Sequence, residues 1–352
     1  MGRRIWFILL ITVMLLTGCT GKGKTQKLNS GSGKDRDTFD EVYAIIMKSQ
    51  GNTYNELTAA GYQEVIESFG AQCIVKYPKS ATAEDQIILI NELIQKDVDS
   101  ISVAANDVNA LESILNEAMA ADIKVSTLDS NTNAESRMVF VNQVSAEEMG
   151  QKLLEAVYDI SGGSGQWAIL SATSQATNQN EWIYAMKEAM EDEKYNQMRL
   201  VTIVYGDDDP EISADKTREL LATYPELKVI CVPSANGIAA AAKVVAAEYP
   251  PGKVKLTGLG LPSQMASYIG DGEEDICPYM YLWNPMDVGR LSAYVAMALV
   301  NGEIKGEAGE TFTAGDMGEF VIRECPDGGT EVIVGDPLKF DSGNIEVWRD
   351  IF

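Results

Sequence analysis

The sequence predicts an α/β protein built as two doubly wound parallel-sheet lobes joined by a hinge. Three observations carry that reading. Past position 39, short β-branched runs alternate regularly with longer segments of helical period. The alternation is completed once and then repeated on the same plan. The roughly 310 residues past position 38 suffice for one or two domains with full cores.

In chain order, strands are expected at 42–47, 72–77, 100–104 and 124–128. Between them lie helices at 55–69, 83–96 and 110–121. The first places Leu57, Val65, Ile66 and Phe69 on one face, and the second does the same with Ile87, Ile90, Leu93 and Ile94. A βαβ order of this kind makes a parallel sheet with right-handed crossovers. A polar-flanked strand at 138–143 follows, and then the second round begins. Its helices are expected at 146–160, 179–191, 211–223 and 235–247, and its strands at 166–171, 200–204, 229–232 and 254–259. A strand at 280–283, a helix at 288–300 and a β-rich tail at 319–323 and 331–334 close the chain. The assignment is lobe 1 from 39–140 plus 279–303, and lobe 2 from 141–278 plus 304–352.

The first residues read as an export signal over 1–18. Arg3 and Arg4 precede an apolar run at 5–16, too short for a ~30 Å hydrocarbon core. Leu16-Thr17-Gly18-Cys19 resembles the bacterial lipobox, which makes Cys19 the expected lipid anchor. The stretch 19–38 is rich in Gly, Ser and Lys with Leu28 its only large aliphatic residue, as a flexible tether would be.

Composition narrows the function. A net charge of −24 argues against nucleic acid and against adsorption on anionic lipid, which leaves the anchor as the membrane link. The chain has no histidine, so imidazole acid–base chemistry, His-dependent nucleophiles and His-ligated zinc are closed to it. The widely spaced Cys73, Cys231, Cys277 and Cys325 form no metal pattern; a Cys277–Cys325 pair is left open. Binding rather than catalysis is expected, with no cofactor and no metal. Several look-alikes fail. Gly258-x-Gly260-x-x-Ser263 ends a late strand and lacks the third glycine of a dinucleotide fingerprint. Gly162 to Gly165 has no phosphate-loop lysine, and Asp207-Asp208-Asp209 has Arg218 where a calcium loop needs glutamate. Acidic residues before Pro210 read as a helix start.

In open parallel sheets, ligands sit beyond the carboxyl ends of the strands. That rule selects Lys48, Asp129, the 177–179 region, the 233–236 region, Trp283 and Asn284. Trp167 and Trp182 read as packing residues.

A set of segments then resembles one family. These are Thr127-Leu-Asp-Ser-Asn-Thr, Asn178-Gln-Asn-Glu-Trp182, Pro233-Ser-Ala-Asn236, Gly258-Leu-Gly-Leu-Pro262, Tyr281-Leu-Trp-Asn-Pro285 and Lys339-Phe-Asp-Ser-Gly-Asn-Ile345. With the lipobox and the strand crossing near 139–143, they are similar to the type I periplasmic binding proteins of sugar ABC importers, in the branch of rhamnose-binding and autoinducer-2-binding proteins. The resemblance implies a small sugar-like ligand, held by Lys48 and Asp129 from one lobe and by Asn178 and Gln179 from the other. Pro233 and Ala235 would supply backbone groups and shape, and Trp283 a stacking face. It further implies an ABC permease with its ATPase as partners, and a monomer on the extracytoplasmic face of the membrane. Where the autoinducer-2 receptors carry an aspartate, this chain has Asn178. That difference favours a rhamnose-like deoxyhexose, with autoinducer-2, or presentation of a ligand to a membrane sensor, as the alternatives.

Overall fold

The computed structural model describes residues 41–352. The signal at 1–18, the anchor at Cys19 and the tether over 19–38 lie outside the described residues.

The first round of alternation gives β1 (Val42–Ile46), α1 (Thr53–Ser68), β2 (Gln72–Lys76), α2 (Ala83–Gln95), β3 (Ser100–Val103), α3 (Glu112–Ala120), β4 (Lys124–Leu128) and β5 (Val139–Asn142). The amide oxygen of Asn52 caps α1 by accepting from the Tyr54 backbone N–H, which fixes where that helix begins. Phe69, placed by periodicity on the buried face, instead follows the helix as its C-cap and is exposed, edge-on to Tyr294.

The chain then enters the second lobe with α4 (Ala146–Ser161), β6 (Gly165–Ser171), α5 (Thr177–Ala189), β7 (Met198–Tyr205), α6 (Pro210–Thr223), β8 (Leu227–Val232), α7 (Ala235–Glu248), β9 (Lys255–Gly258), the short α8 (Pro262–Met265) and β10 (Tyr279–Leu282). It returns to the first lobe for α9 (Pro285–Val300), β11 (Thr311–Thr313), β12 (Glu319–Val321), β13 (Arg323–Glu324) and β14 (Thr330–Ile333). It ends in the second with β15 (Leu338–Asp341) and α10 (Ile345–Trp348).

The lobe 1 sheet runs β13-β14-β5-β4-β3-β1-β2, parallel except for the β13–β14 hairpin. The lobe 2 sheet runs β7-β6-β8-β9, all parallel. β10 joins its edge through a Leu259–Tyr281 bridge and pairs antiparallel with β15. This is the predicted α/β fold with two parallel-sheet lobes. The chain passes between lobes after β5, after β10 and after β14, so three segments form the hinge.

Two parts of the lobe assignment differ from expectation. β10 extends the second lobe rather than the first, and residues 311–333 build the first lobe rather than the second. Periodicity distinguishes strand from helix but carries no information about which sheet an edge strand joins. β11, β15, α8 and α10 span three or four residues each, too short for a periodic signal.

Helix α9 lies against α1 at close range. A Cβ on Gly61 would collide with the Met286 carbonyl, and one on Gly289 with the Thr58 carbonyl. Trp167 on β6 is fully buried in the core. All four described cysteines are unpaired; Cys277 and Cys325 fall in different lobes, and burial pushes the thiols up to about 12.

Candidate ligand-binding cleft

The carboxyl ends of both sheets open onto one cleft between the lobes. Lys48, Asp129, Asn178, Gln179, Pro233, Ala235 and Trp283, chosen from strand ends and family likeness, all line it.

Asp129 is its centre. It follows β4 directly and adopts a left-handed backbone (φ 60°), a conformation that aspartate tolerates better than most residues. The turn leaves the side chain 4% exposed. Oδ1 accepts from Tyr54 Oη at 3.0 Å and from Gln143 Nε2 at 2.9 Å. Oδ2 accepts from Asn178 Nδ2, across the cleft, at 3.4 Å. Burial raises the pKa of Asp129. The Lys48 ammonium and the Tyr54 hydrogen bond pull it back, and the Asp208 charge adds to the rise.

Two hinge segments therefore meet at one oxygen. Gln143, just past β5, bonds it directly. Trp283, just past β10, acts through Tyr54: its indole N–H donates to Tyr54 Oη at 2.6 Å. Burial next to Asp129 holds the Tyr54 hydroxyl protonated, with a pKa well above its ordinary value. Trp283 is itself buried, edge-on to Tyr54 (centroids 6.3 Å) and to Trp182 (5.8 Å).

Lys48 leaves β1 and donates to Ser130 Oγ at 2.8 Å, beside the Asp129 carboxylate. Asn178 stands in the first turn of α5, whose N-cap is Ala176, so its side chain is not the cap. Its Oδ1 accepts from the Gln179 N–H at 2.9 Å, which turns the donor end toward Asp129. An aspartate in this orientation would set two carboxylates against each other, so the amide fits its partner. Gln179 Oε1 accepts from Ser171 Oγ (2.7 Å) and Ala172 N–H (2.8 Å), tying α5 to the end of β6. Pro233 and Ala235 flank Ser234, the N-cap of α7.

The sequence reading missed Asp208, Asn52, Tyr54, Asn106 and the cleft position of Trp182. The helix-start reading holds for Asp209, which caps α6 by accepting from the Glu211 and Ile212 N–H groups. Asp207 and Asp208 are left-handed (φ 53° and 54°), and the turn sends the Asp208 carboxylate into the cleft. Burial raises its pKa too, against the pull of Asn52 and Lys48. The strand-end rule, extended to β7 and β3, would have found Asp208 and Asn106.

Two carboxylates, one ammonium, several amides and two indoles suit a neutral, polyhydroxylated ligand. Hydroxyls donate to carboxylates, and indole faces cover C–H surfaces. An anionic ligand would meet the charges of Asp129 and Asp208, offset by the single ammonium of Lys48. No group of acidic or thiol side chains placed to hold a metal ion occurs among the described residues.

Two facing α/β lobes, three hinge crossings and a polar cleft define a two-lobed ligand-binding protein. The chain belongs to the periplasmic binding protein domain family, whose profile matches residues 43–304. It is similar to an ABC transporter solute binding protein from Clostridium phytofermentas with bound L-rhamnose, at 52% identity and TM-score 0.88, over 89% of this chain and 99% of that one. It is also similar to a sugar ABC transporter from Actinomyces odontolyticus, at 37% identity and TM-score 0.70, over 89% and 98% of the two chains. LsrB from Clostridium saccharobutylicum in complex with AI-2 shares the fold at 20% identity and TM-score 0.81, over 87% and 99%.

Proposed function

We propose that this chain is the solute receptor of an ABC importer, that it closes on L-rhamnose or a related neutral deoxy sugar, and that it delivers the sugar to the permease. One observation carries the reading: Asp129 and Asp208 face one polar cleft from opposite lobes, with Lys48 and the paired indoles Trp182 and Trp283 in its walls. Lys48 and Asp129 bond ring hydroxyls from lobe 1, and Asn178 and Gln179 do so from lobe 2. Pro233 and Ala235 shape the floor, and Trp283 covers the apolar sugar face. Each lobe holds part of the ligand, so the ligand favours the closed form. A wet polar site of this kind binds in the ~μM range. The protein works as a monomer without catalysis, held at the extracytoplasmic face by acylated Cys19.

A thermal-shift panel tests the ligand. L-rhamnose at ~100 times its dissociation constant stabilises the fold by about 2.7 kcal/mol. Other deoxyhexoses, pentoses, hexoses and autoinducer-2 complete the panel. A shift with autoinducer-2 alone overturns the sugar assignment; a shift with L-rhamnose or another deoxy sugar alone supports it. Loss of fatty-acid labelling in Cys19→Ser tests the anchor.

A further inference from the structure

We infer that Asp208 is an interlobe latch: its carboxylate, gripped by Asn52 and Ser49 of the opposite lobe, holds the cleft shut. The inference concerns how closure is regulated, and so it rests on the solute-receptor reading for its biological use, though not for its geometry.

The donors are preset by their own lobe. Asn52 is 7% exposed, and its amide is divided between two tasks. Its Oδ1 caps α1 at the Tyr54 N–H, and its Nδ2 donates to Asp208 Oδ2 at 2.8 Å. Ser49 Oγ is held by Asn55 Nδ2 at 3.0 Å and donates to the same oxygen at 3.0 Å. The acceptor is preset from the other side. The left-handed Asp207-Asp208 turn aims it, Asn236 Nδ2 donates to its backbone carbonyl at 3.1 Å, and Ser234 Oγ lies 3.5 Å from Oδ1.

Among the described residues, three other side-chain bonds span the lobes away from the hinge: Thr177 to the Asn131 carbonyl, Gln264 to Thr53, and Asn178 to Asp129. They measure 3.3, 3.3 and 3.4 Å. The two bonds to Asp208, at 3.0 and 2.8 Å, are shorter, and both end on one carboxylate oxygen, a charged acceptor that makes such bonds roughly twice as strong as neutral ones. Of the other three only the longest, Asn178 to Asp129, also ends on a charge. None of its partners belongs to a ligand, so the latch forms in the empty protein as well. It raises the closed fraction before binding and thereby the apparent affinity.

A charge swap tests this in the full-length protein. Asn52→Asp keeps the helix cap, because aspartate caps as well as asparagine, but sets a carboxylate against Asp208. Asp208→Asn removes the charged acceptor. The double variant Asn52→Asp/Asp208→Asn restores a donor facing a carboxylate with the roles reversed. Each single variant is expected to speed L-rhamnose dissociation about tenfold or more, and the swap to recover most of that loss.

Hydrogen exchange without ligand supplies the second readout. Amides around Thr177, whose hydroxyl spans the lobes to the Asn131 carbonyl, exchange faster in the single variants and regain protection in the swap. A swap no better than the single variants, or loosening confined to residues 206–209, overturns the latch. If the protein binds no L-rhamnose and the exchange pattern nevertheless follows the swap, the latch stands and the ligand assignment falls.

Discussion

Removing one oxygen, in Tyr54→Phe, tests whether the cleft is held by a relay from the hinge. The ring keeps its place against Trp283, so packing is conserved and only the hydroxyl is lost. That hydroxyl donates to Asp129 at 3.0 Å and accepts from the Trp283 indole at 2.6 Å, and all three groups are buried. A hydrogen bond to a charged acceptor contributes about 1.5–3 kcal/mol, and a buried donor left unpaired costs about 1–3 kcal/mol. Water entering from the cleft recovers part of the second loss, so the net destabilisation is about 3 kcal/mol. Urea unfolding of the ligand-free protein measures it, with a fall in Tm of roughly 5 °C as the companion reading. Trp283→Phe removes the donor that Tyr54→Phe would orphan, so the double variant should lose less than the sum of the single variants. Destabilisation under ~0.5 kcal/mol, or strict additivity within that margin, would refute the relay.

Other consequences follow from the same geometry. Asp129 has its pKa raised by burial, so the folded state binds its proton more tightly than the unfolded state, whose value is near 3.8. Its contribution to stability therefore falls as pH rises through that window. Asp129→Asn should leave the empty protein as stable at pH ~7 or more so, while abolishing sugar binding by calorimetry. The ionised carboxylate accepts ligand hydroxyls more strongly than the protonated acid does. Affinity of the unaltered protein should therefore weaken as pH falls from neutrality through the raised pKa of Asp129, and an affinity that stays constant down to the acid unfolding transition would count against Asp129 as a contact. Asn178→Asp sets a second carboxylate where Nδ2 stands 3.4 Å from Asp129, and should weaken L-rhamnose roughly tenfold at neutral pH, less so in acid. Gly289→Ala drives a methyl group into the Thr58 carbonyl between α1 and α9 and should destabilise the fold by about 1–3 kcal/mol in urea, without altering the ligand preference.

Much of this molecule is determined locally. Alternating β-branched runs and helical periods specify the strands and helices around both sheets, because each element must bury one face or stripe. The strand-end rule needs only that order, and it selected Lys48, Asp129 and Trp283 from sequence; all three stand in one cleft. The missing histidines and the acidic surplus are likewise properties of composition. What tertiary structure decided is what depends on partners far along the chain. β10 and β14 changed lobes because edge pairing is set by the neighbouring strand. Asp208 became a cleft residue because two left-handed aspartates turn it toward Asn52, 156 positions away. Asn178 makes sense as an amide only once the carboxylate of Asp129 is seen opposite it. Periodicity records which face of an element is apolar; the group a polar side chain meets across a cleft depends on how two separately wound lobes come together.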